Sequence, residues 1–251
     1  LALIEGRICV EAALAARQRR ERLVVVREGI HPKRVAAILQ MAEEQGVPVK
    51  FAPAAEIEAM AHGKTHGGVV ALAAPKPPVP LAELVERLAQ QARPPALLLL
   101  DGVDDSQNLG YTIRSAEALG IDAVLLKKHV WDFDATAVSR ASSGAFERMP
   151  LAMIEQVERQ IPQLKKLGLR LCGCVASARR AIYAVDLTGP LLMAIGGEKR
   201  GLSAAVRRQC DGMVRIPIAG SVGSLALSHA AAIVMAEVMR QRLQRESPEA
   251  A

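Results

Sequence analysis

Apolar positions recur along this chain at two spacings, one helical and one that of buried strands, and they divide it into alternating elements. Residues 5–17 carry Ile8, Ala12 and Leu14 or Ala15 at helical spacing and end in the basic run Arg17-Gln-Arg-Arg-Glu-Arg22. Residues 23–26 read as a buried strand. His31-Pro32 opens a helix to about residue 44 with Val35, Ile38, Leu39 and Ala42 inward, and Gly46 ends it. Residues 47–51 and 68–73 add two strands, with a short helix at 54–61 between them. The result is an α/β unit of about 75 residues, small for a domain. Pro75-Lys-Pro-Pro-Val-Pro80 then predicts a stiff, extended linker, the strongest boundary in the chain.

Beyond the linker, a short helix at 81–91 precedes a fully apolar strand, 96–100, that runs into Asp101. Strands recur near 123–126, 169–176, 191–195 and 214–218, and helices are expected at 109–119, 134–140, 154–167, 203–210 and 225–245. Continuous apolar strands alternating with helices predict an α/β domain with a parallel sheet covered on both faces. Two glycine-bearing turns stand behind its last strands, at 196–203 and 216–228. Glycines 196, 197, 201, 220 and 223 permit positive φ and close approach of a ligand to main chain, and ligands of such sheets bind beyond the strands' carboxyl ends. The spacing matches neither Gly-x-Gly-x-x-Gly nor a Walker loop, so two ordinary strand-to-helix turns is the alternative reading.

Composition narrows the classes. The chain is 251 residues long, 51% apolar and 23% charged, values of a globular protein with room for one large or two modest domains. No stretch of 18 apolar residues and no secretory pattern is visible, so no membrane span is expected. Cys9, Cys172, Cys174 and Cys210 fit no zinc spacing and point to a reducing cytoplasm. Cys172 and Cys174 share one face of a strand as small hydrophobes. His62 and His66 are four apart, but Gly63 between them and the lack of a nearby acid ligand argue against a metal pair.

A net charge of +6 and a pI near 9.4 favour a polyanionic partner. Rings make up only 2% of residues, too few for long base-stacking platforms, so nucleic acid would be met through phosphates, shape and ribose. The run at 17–22 is either a solvated helix end at the negative pole of the dipole or an RNA contact. Asn108 reads as an N-cap. Leu109, Ile113 and Ala116 form the inward stripe of the helix that follows, leaving Arg114 off the core, where a guanidinium has donors for phosphate or ribose. Glu198 reads as a first-turn acid beside Lys199 and Arg200.

Several segments together resemble the SpoU (TrmH-type) family of RNA ribose 2′-O-methyltransferases, within the SPOUT superfamily. Residues 101–120 (DGVDDSQNLGYTIRSAEALG) resemble its first motif, with Asn108, Gly110, Arg114 and Gly120 in place. Residues 140–147 (RASSGAFE) resemble the following segment, 196–202 (GGEKRGL) the second motif and 216–225 (IPIAGSVGSL) the third. The N-terminal unit, with Ile4-Glu-Gly-Arg7 and His66-Gly-Gly-Val69, is similar to the ribosomal-protein-like RNA-binding domain of many members.

The resemblance implies a division into a substrate-binding domain at 1–74, a linker with short helix at 75–95 and a methyltransferase domain at 96–251. It also implies a deep trefoil knot, an exception to the rule that chains do not thread loops. S-adenosyl-L-methionine would lie against the two knot turns, held by Gly196, Gly197, Ile216, Ile218, Gly220, Ser224 and Leu225. Asn108, Arg114, Glu198 and Ser224 would serve catalysis, and Arg7, Arg114, Arg140, Lys199 and Arg200 would meet RNA, rRNA in preference to tRNA. No metal is implied. Members are homodimers through the knot domain, which suits the small and aliphatic side chains of residues 230–238 in the last helix.

In the implied reaction a ribose 2′-hydroxyl displaces the sulfonium methyl in line. The resemblance implies Arg114 at ribose and phosphate, acting as or assisting the base, and because a guanidinium is an awkward base, clamping phosphate and stabilising charge are the physically easier roles. One position departs from the family pattern: Ala226 stands where the third motif carries Asn, so a side-chain hydrogen bond is missing. The alternative this raises is an RNA-binding protein on a methyltransferase scaffold with weakened chemistry.

Overall fold

The computed structural model describes residues 1–63, 66–127 and 133–246; His129 and Trp131 lie outside them. In chain order the first elements are β1 (Ala2–Glu5), α1 (Arg7–Ala16), β2 (Glu21–Arg27), α2 (Ala36–Glu44), β3 (Val49–Ala52), α3 (Ala54–Met60) and β4 (Val69–Ala73). Then come α4 (Leu81–Ala89), β5 (Ala96–Asp101), α5 (Ser106–Ala118), β6 (Ala123–Lys127), α6 (Ala135–Ala141) and α7 (Ala145–Arg148). The remainder is β7 (Leu151–Ile154), α8 (Val157–Lys165), β8 (Arg170–Cys174), β9 (Arg180–Ala181), β10 (Leu191–Gly196), α9 (Ala204–Gln209), β11 (Gly212–Arg215) and α10 (Leu227–Glu246).

The chain forms two compact units, one of Leu1–Pro77 with Phe133–Arg148, the other of Pro78–Asp132 with Met149–Ala251. In the first, a four-stranded sheet of order β1-β4-β2-β3 is antiparallel except where β2 meets β3. On one face Val24, Val26, Val69 and Ala71 pack with Cys9, Val10, Ala13 and Leu14 of α1 and Ile38 and Ala42 of α2. On the other, Val25 and Val70 meet Ile57 of α3. Ile8, expected inward, is half exposed, because the buried face of α1 is set by the positions just after it.

Residues 133–148 belong to this unit, although the linear division groups them with 96–251. The physical reason is a set of long-range bonds. The Thr136 hydroxyl donates to Leu3 O at 2.8 Å, the Cys9 thiol to Ser139 O at 3.4 Å, and Arg19 pairs with Glu147 at 2.6 Å.

The second unit is a seven-stranded, wholly parallel sheet of order β7-β6-β5-β10-β8-β11-β9. Leu97, Leu99, Leu125, Leu192 and Ala194 face a core completed by Leu84 and Leu88 of α4, Ile161 and Leu164 of α8 and Val206 of α9. The alternate positions Leu98, Leu100, Met193 and Ile195 are buried toward the opposite face. There α5 supplies Leu109, Ile113 and Ala116, and α10 supplies Ala231, Val234 and Val238. Continuous apolar strands thus do what was expected of them. The proline segment carries no regular structure through residue 80, yet Val79 N donates to Leu151 O at 2.7 Å and straps it to β7.

Candidate functional site

At the carboxyl edge of the large sheet, β5 and β10 end in register, with Asp101 opposite Gly196. The ladder runs one step further, where Gly197 N donates to Asp101 O at 2.8 Å, and the chain then folds on itself with Gly201 N donating to Gly197 O at 2.8 Å. There is no room for side chains here. A Cβ on Gly196 would stand 2.0 Å from the carbonyl carbon of Gly201, and one on Gly197 would stand 2.0 Å from Gly102 O. Glycine at 196 and 197 therefore lets main chain pack on main chain.

A buried carboxylate locks the same edge. Asp101 accepts from Ser203 N at 2.7 Å and pairs with Lys127 at 3.0 Å, while Lys127 also donates to the Ser203 hydroxyl at 2.9 Å. Ser203 caps α9 by accepting from Val206 N at 3.4 Å. One carboxylate thus joins the ends of β5 and β6 to the start of α9. Asp101, Lys127 and Ser203 were not singled out in the sequence; the signal for the first was an acid ending a wholly apolar strand.

Glu198 projects from the glycine turn and holds two helices. Its Oε1 accepts from Leu227 N, the first residue of α10, at 3.1 Å and from Asn108 Nδ2 at 3.3 Å. A carboxylate at that position satisfies an orphan donor and sits at the positive pole of α10. The Ser228 hydroxyl donates to Asn108 Oδ1 at 2.8 Å. Asn108 is thus a bridge rather than the N-cap: Asp105 caps α5, its Oδ1 accepting from Asn108 N at 2.6 Å. Ser224 takes no part in this network among the described residues, and Ser228, four positions on, does. The network closes without a side-chain amide at 226, where Ala226 stands.

Residues 216–226 connect β11 to α10 with no helix or strand, and all but Ile216 are exposed. The amides and carbonyls of 217–225 make no hydrogen bonds among the described residues. Around Gly220 and Gly223 there is open space, and Ile218, Val222 and Leu225 expose apolar surface beside the free main chain. Unpaired backbone donors and acceptors next to apolar side chains fit a nucleoside-bearing cofactor held by main chain, the chemistry expected of Ile216, Ile218, Gly220 and Leu225.

Arg114 stands on α5 six residues beyond Asn108, exposed and with no internal partner among the described residues. The other basic candidates differ. Lys199 pairs with Asp104 at 2.8 Å, which raises its pKa, and Arg200 beside it is exposed. In the first unit Arg7 pairs with Glu11 at 3.1 Å, and Arg140 lies 3.4 Å from the buried Glu5. His66 is buried and accepts from Gly68 N at 3.1 Å, a turn contact. Among the described residues no group of three or more His, Cys, Asp or Glu is placed to hold a metal, and no helix is long and apolar enough to cross a membrane.

Fold and edge define the chain as an α/β protein, a parallel-sheet domain accompanied by a small mixed-sheet domain. Residues 95–236 match the model of the SpoU rRNA methylase family, and residues 3–79 match that for RNA 2′-O ribose methyltransferase substrate binding. The chain belongs to the SpoU rRNA methylase family. It is 36% identical over 239 residues to the 23S rRNA (guanosine-2′-O-)-methyltransferase RlmB of Pseudomonas putida, covering 95% of this chain and 96% of that one. A crystal structure of an RNA 2′-O ribose methyltransferase superposes with a TM-score of 0.76 at 28% identity, over 96% of this chain and 88% of its own. The SpoU methyltransferase AviRb from Streptomyces viridochromogenes superposes with a TM-score of 0.81 at 25% identity, over 97% and 90% of the two chains. That protein has also been solved in complex with AdoMet; this second structure, 24% identical with a TM-score of 0.79 over 96% and 90%, shares the fold.

Proposed function

We propose that this chain methylates a ribose 2′-hydroxyl of ribosomal RNA, with S-adenosyl-L-methionine as methyl donor and 23S rRNA as the substrate class. The observation that carries the reading is the Glu198 junction, which ties the helix bearing Arg114 to the end of the open 216–226 segment through Asn108 and Leu227 N. Full-length similarity to a 23S rRNA methyltransferase supports the substrate class.

When bound, S-adenosylmethionine supplies a methyl group already activated on sulfonium. Main chain and apolar side chains at Ile216, Ile218, Gly220, Ser224 and Leu225 hold and orient it, and the locked turn at Gly196 and Gly197 fixes the floor of the edge. Arg114 binds phosphate and ribose, where its planar fork of donors stabilises charge and positions the hydroxyl. Glu198 is engaged by two N–H donors and acts as an orienting group, with Asn108 relaying its position to α5.

Arg7, Arg140, Lys199 and Arg200 add electrostatic contacts to RNA. Two copies pair through the C-terminal domain, in keeping with the exposed Met239 and Leu243 on α10. The trefoil knot implied by the family resemblance belongs to the same reading. Four free cysteines suit a reducing cytoplasm.

The test is Arg114→Ala, assayed with methyl-labelled S-adenosylmethionine and rRNA from a host lacking the gene. Methyl transfer should fall by about 10²-fold or more, while cofactor affinity measured by calorimetry is retained. Normal turnover of the variant would overturn the role given to Arg114, and a wild-type protein that binds cofactor but labels no RNA would overturn the activity.

A further inference from the structure

The basic run at 17–22 does not continue its helix. α1 stops at Ala16, and Arg17 takes a left-handed conformation (φ 51°) with its N–H on Ala13 O at 3.1 Å, so the chain turns sharply. Strand β2 then begins with a register shift. Glu21 pairs with Ala73 and Leu23 with Leu72, leaving Arg22 as the extra residue of a bulge, directed to solvent.

The side chains between these points separate into two sets. Arg17, Arg20 and Arg22 are exposed, whereas Arg19 turns inward with a side chain only 2% exposed. Its Nη2 donates to Glu147 Oε1 at 2.6 Å, and the Ser139 hydroxyl holds the same oxygen at 2.8 Å. The Nε and Nη1 groups of Arg19 are buried and without a hydrogen-bond partner among the described residues. A cleft of about 460 Å³ lies at this turn, lined by Arg17, Arg19, Arg20, Arg22, Gln45 and Gly46 among others.

Three exposed guanidinium groups around one cleft select an anion, and an Arg fork matches phosphate oxygens. Arg19, held by Glu147, adds its charge to the same field. Three acids stand near these arginines: Glu147 is engaged by Arg19 and Ser139, Glu44 lies 4.0 Å from Arg17 at the surface, and burial raises the pKa of the Glu21 carboxyl in the cleft wall.

We propose that this cleft is a phosphodiester-binding site for the RNA substrate, with Arg17, Arg20 and Arg22 gripping the backbone from the rim and the buried Arg19 bracing the turn that presents them. It rests on the reading of the chain as an rRNA methyltransferase and adds to it a specific anchoring point within the N-terminal unit, separate from the cofactor edge in residues and in chemistry. Such a point reads no sequence; it fixes register and orientation of a folded RNA.

The experiment compares the full-length protein with an Arg17→Gln, Arg20→Gln, Arg22→Gln variant. All three side chains are exposed, so the fold should survive, and thermal melting checks it. Binding to a large-subunit rRNA fragment is titrated from about 50 to 200 mM salt, and methylation kinetics are measured in parallel. The expected result is at least about tenfold weaker RNA binding at low salt and a fall of about 2 in the slope of log K against log salt. KM for RNA should rise, with cofactor affinity unchanged. Wild-type affinity and slope in a folded variant, beside an active wild-type enzyme, would overturn the cleft alone. A wild-type protein that neither binds nor methylates RNA would overturn both the cleft and the functional reading beneath it.

Discussion

Two glycine-bearing segments close the carboxyl edge of the large sheet, and they use glycine in opposite ways. At Gly196 and Gly197 the main chain is pressed against Gly201 and Gly102, with no space for a methyl group. At 216–226 Gly220 and Gly223 face open space and the neighbouring backbone is unpaired among the described residues. One segment is a rigid anchor that aims Glu198, and the other is a surface prepared for something to be laid on it. The same residue type, read in a sequence, signals close approach in both cases; what approaches is decided by the neighbours.

This contrast is open to direct attack by substitution. The largest effect is expected from Gly197→Ala, where a Cβ would meet the backbone of Gly102 just beyond β5, and similarly from Gly196→Ala, where it would meet the backbone of Gly201 and Leu202. Urea unfolding should show a loss of about 3 kcal/mol or more, and a variant as stable as the parent would mean that the edge relaxes and that the two segments do not differ in this respect. A smaller effect follows from Glu198→Ala, which removes the acceptor for Leu227 N and Asn108. Because this carboxylate is exposed, stability should drop by about 1 kcal/mol at most, whereas methyl transfer should fall much further because the glycine turn loses its tie to α5 and α10. Equal losses of stability and activity would reduce Glu198 to a helix cap. The smallest change in stability, within about 0.5 kcal/mol, is expected for Gly220→Ala and Gly223→Ala. Their effect should appear in cofactor affinity by calorimetry, and unchanged affinity in both would move the cofactor contacts away from this segment.

Much of the architecture was legible in the pattern of apolar residues. The runs at 96–100, 123–126 and 191–195 are central parallel strands, because residues buried on both faces leave an unbroken apolar signature. Edge elements were harder. Strands β1 and β7 have four residues each, too few to establish a period, and neither was expected; the helix expected at 154–167 overlaps β7 only at Ile154. The helix expected at 31–44 is instead a 3₁₀ turn at Pro32–Arg34 followed by α2, since Val35 between them leaves helical geometry (ψ 0°).

Site residues divide along similar lines. Asn108, Arg114 and Glu198 were visible as members of motifs, and the structure joins the first to the third. It does not join Ser224 to them, and Ser228 takes a place that was not foreseen. Arg19 is the clearest case. In the sequence it is one of four arginines in six residues, and nothing marks it as the one that turns inward. Its partner Glu147 lies 128 residues away, so their pairing has no local trace.

By itself the sequence determined the α/β class, the central strands, the inward stripe of α5 and the membership of four ordered motifs, because each depends on residues close together in the chain or on side-chain periodicity. The tertiary structure alone decided that 133–148 packs with the N-terminal unit, that Gly196 and Gly197 are compressed while Gly220 and Gly223 are open, and that Glu198 caps α10. Each of these depends on which backbone atoms meet across many residues. Such meetings follow from the shape of the folded chain, and a pattern that repeats every two or four positions does not encode them.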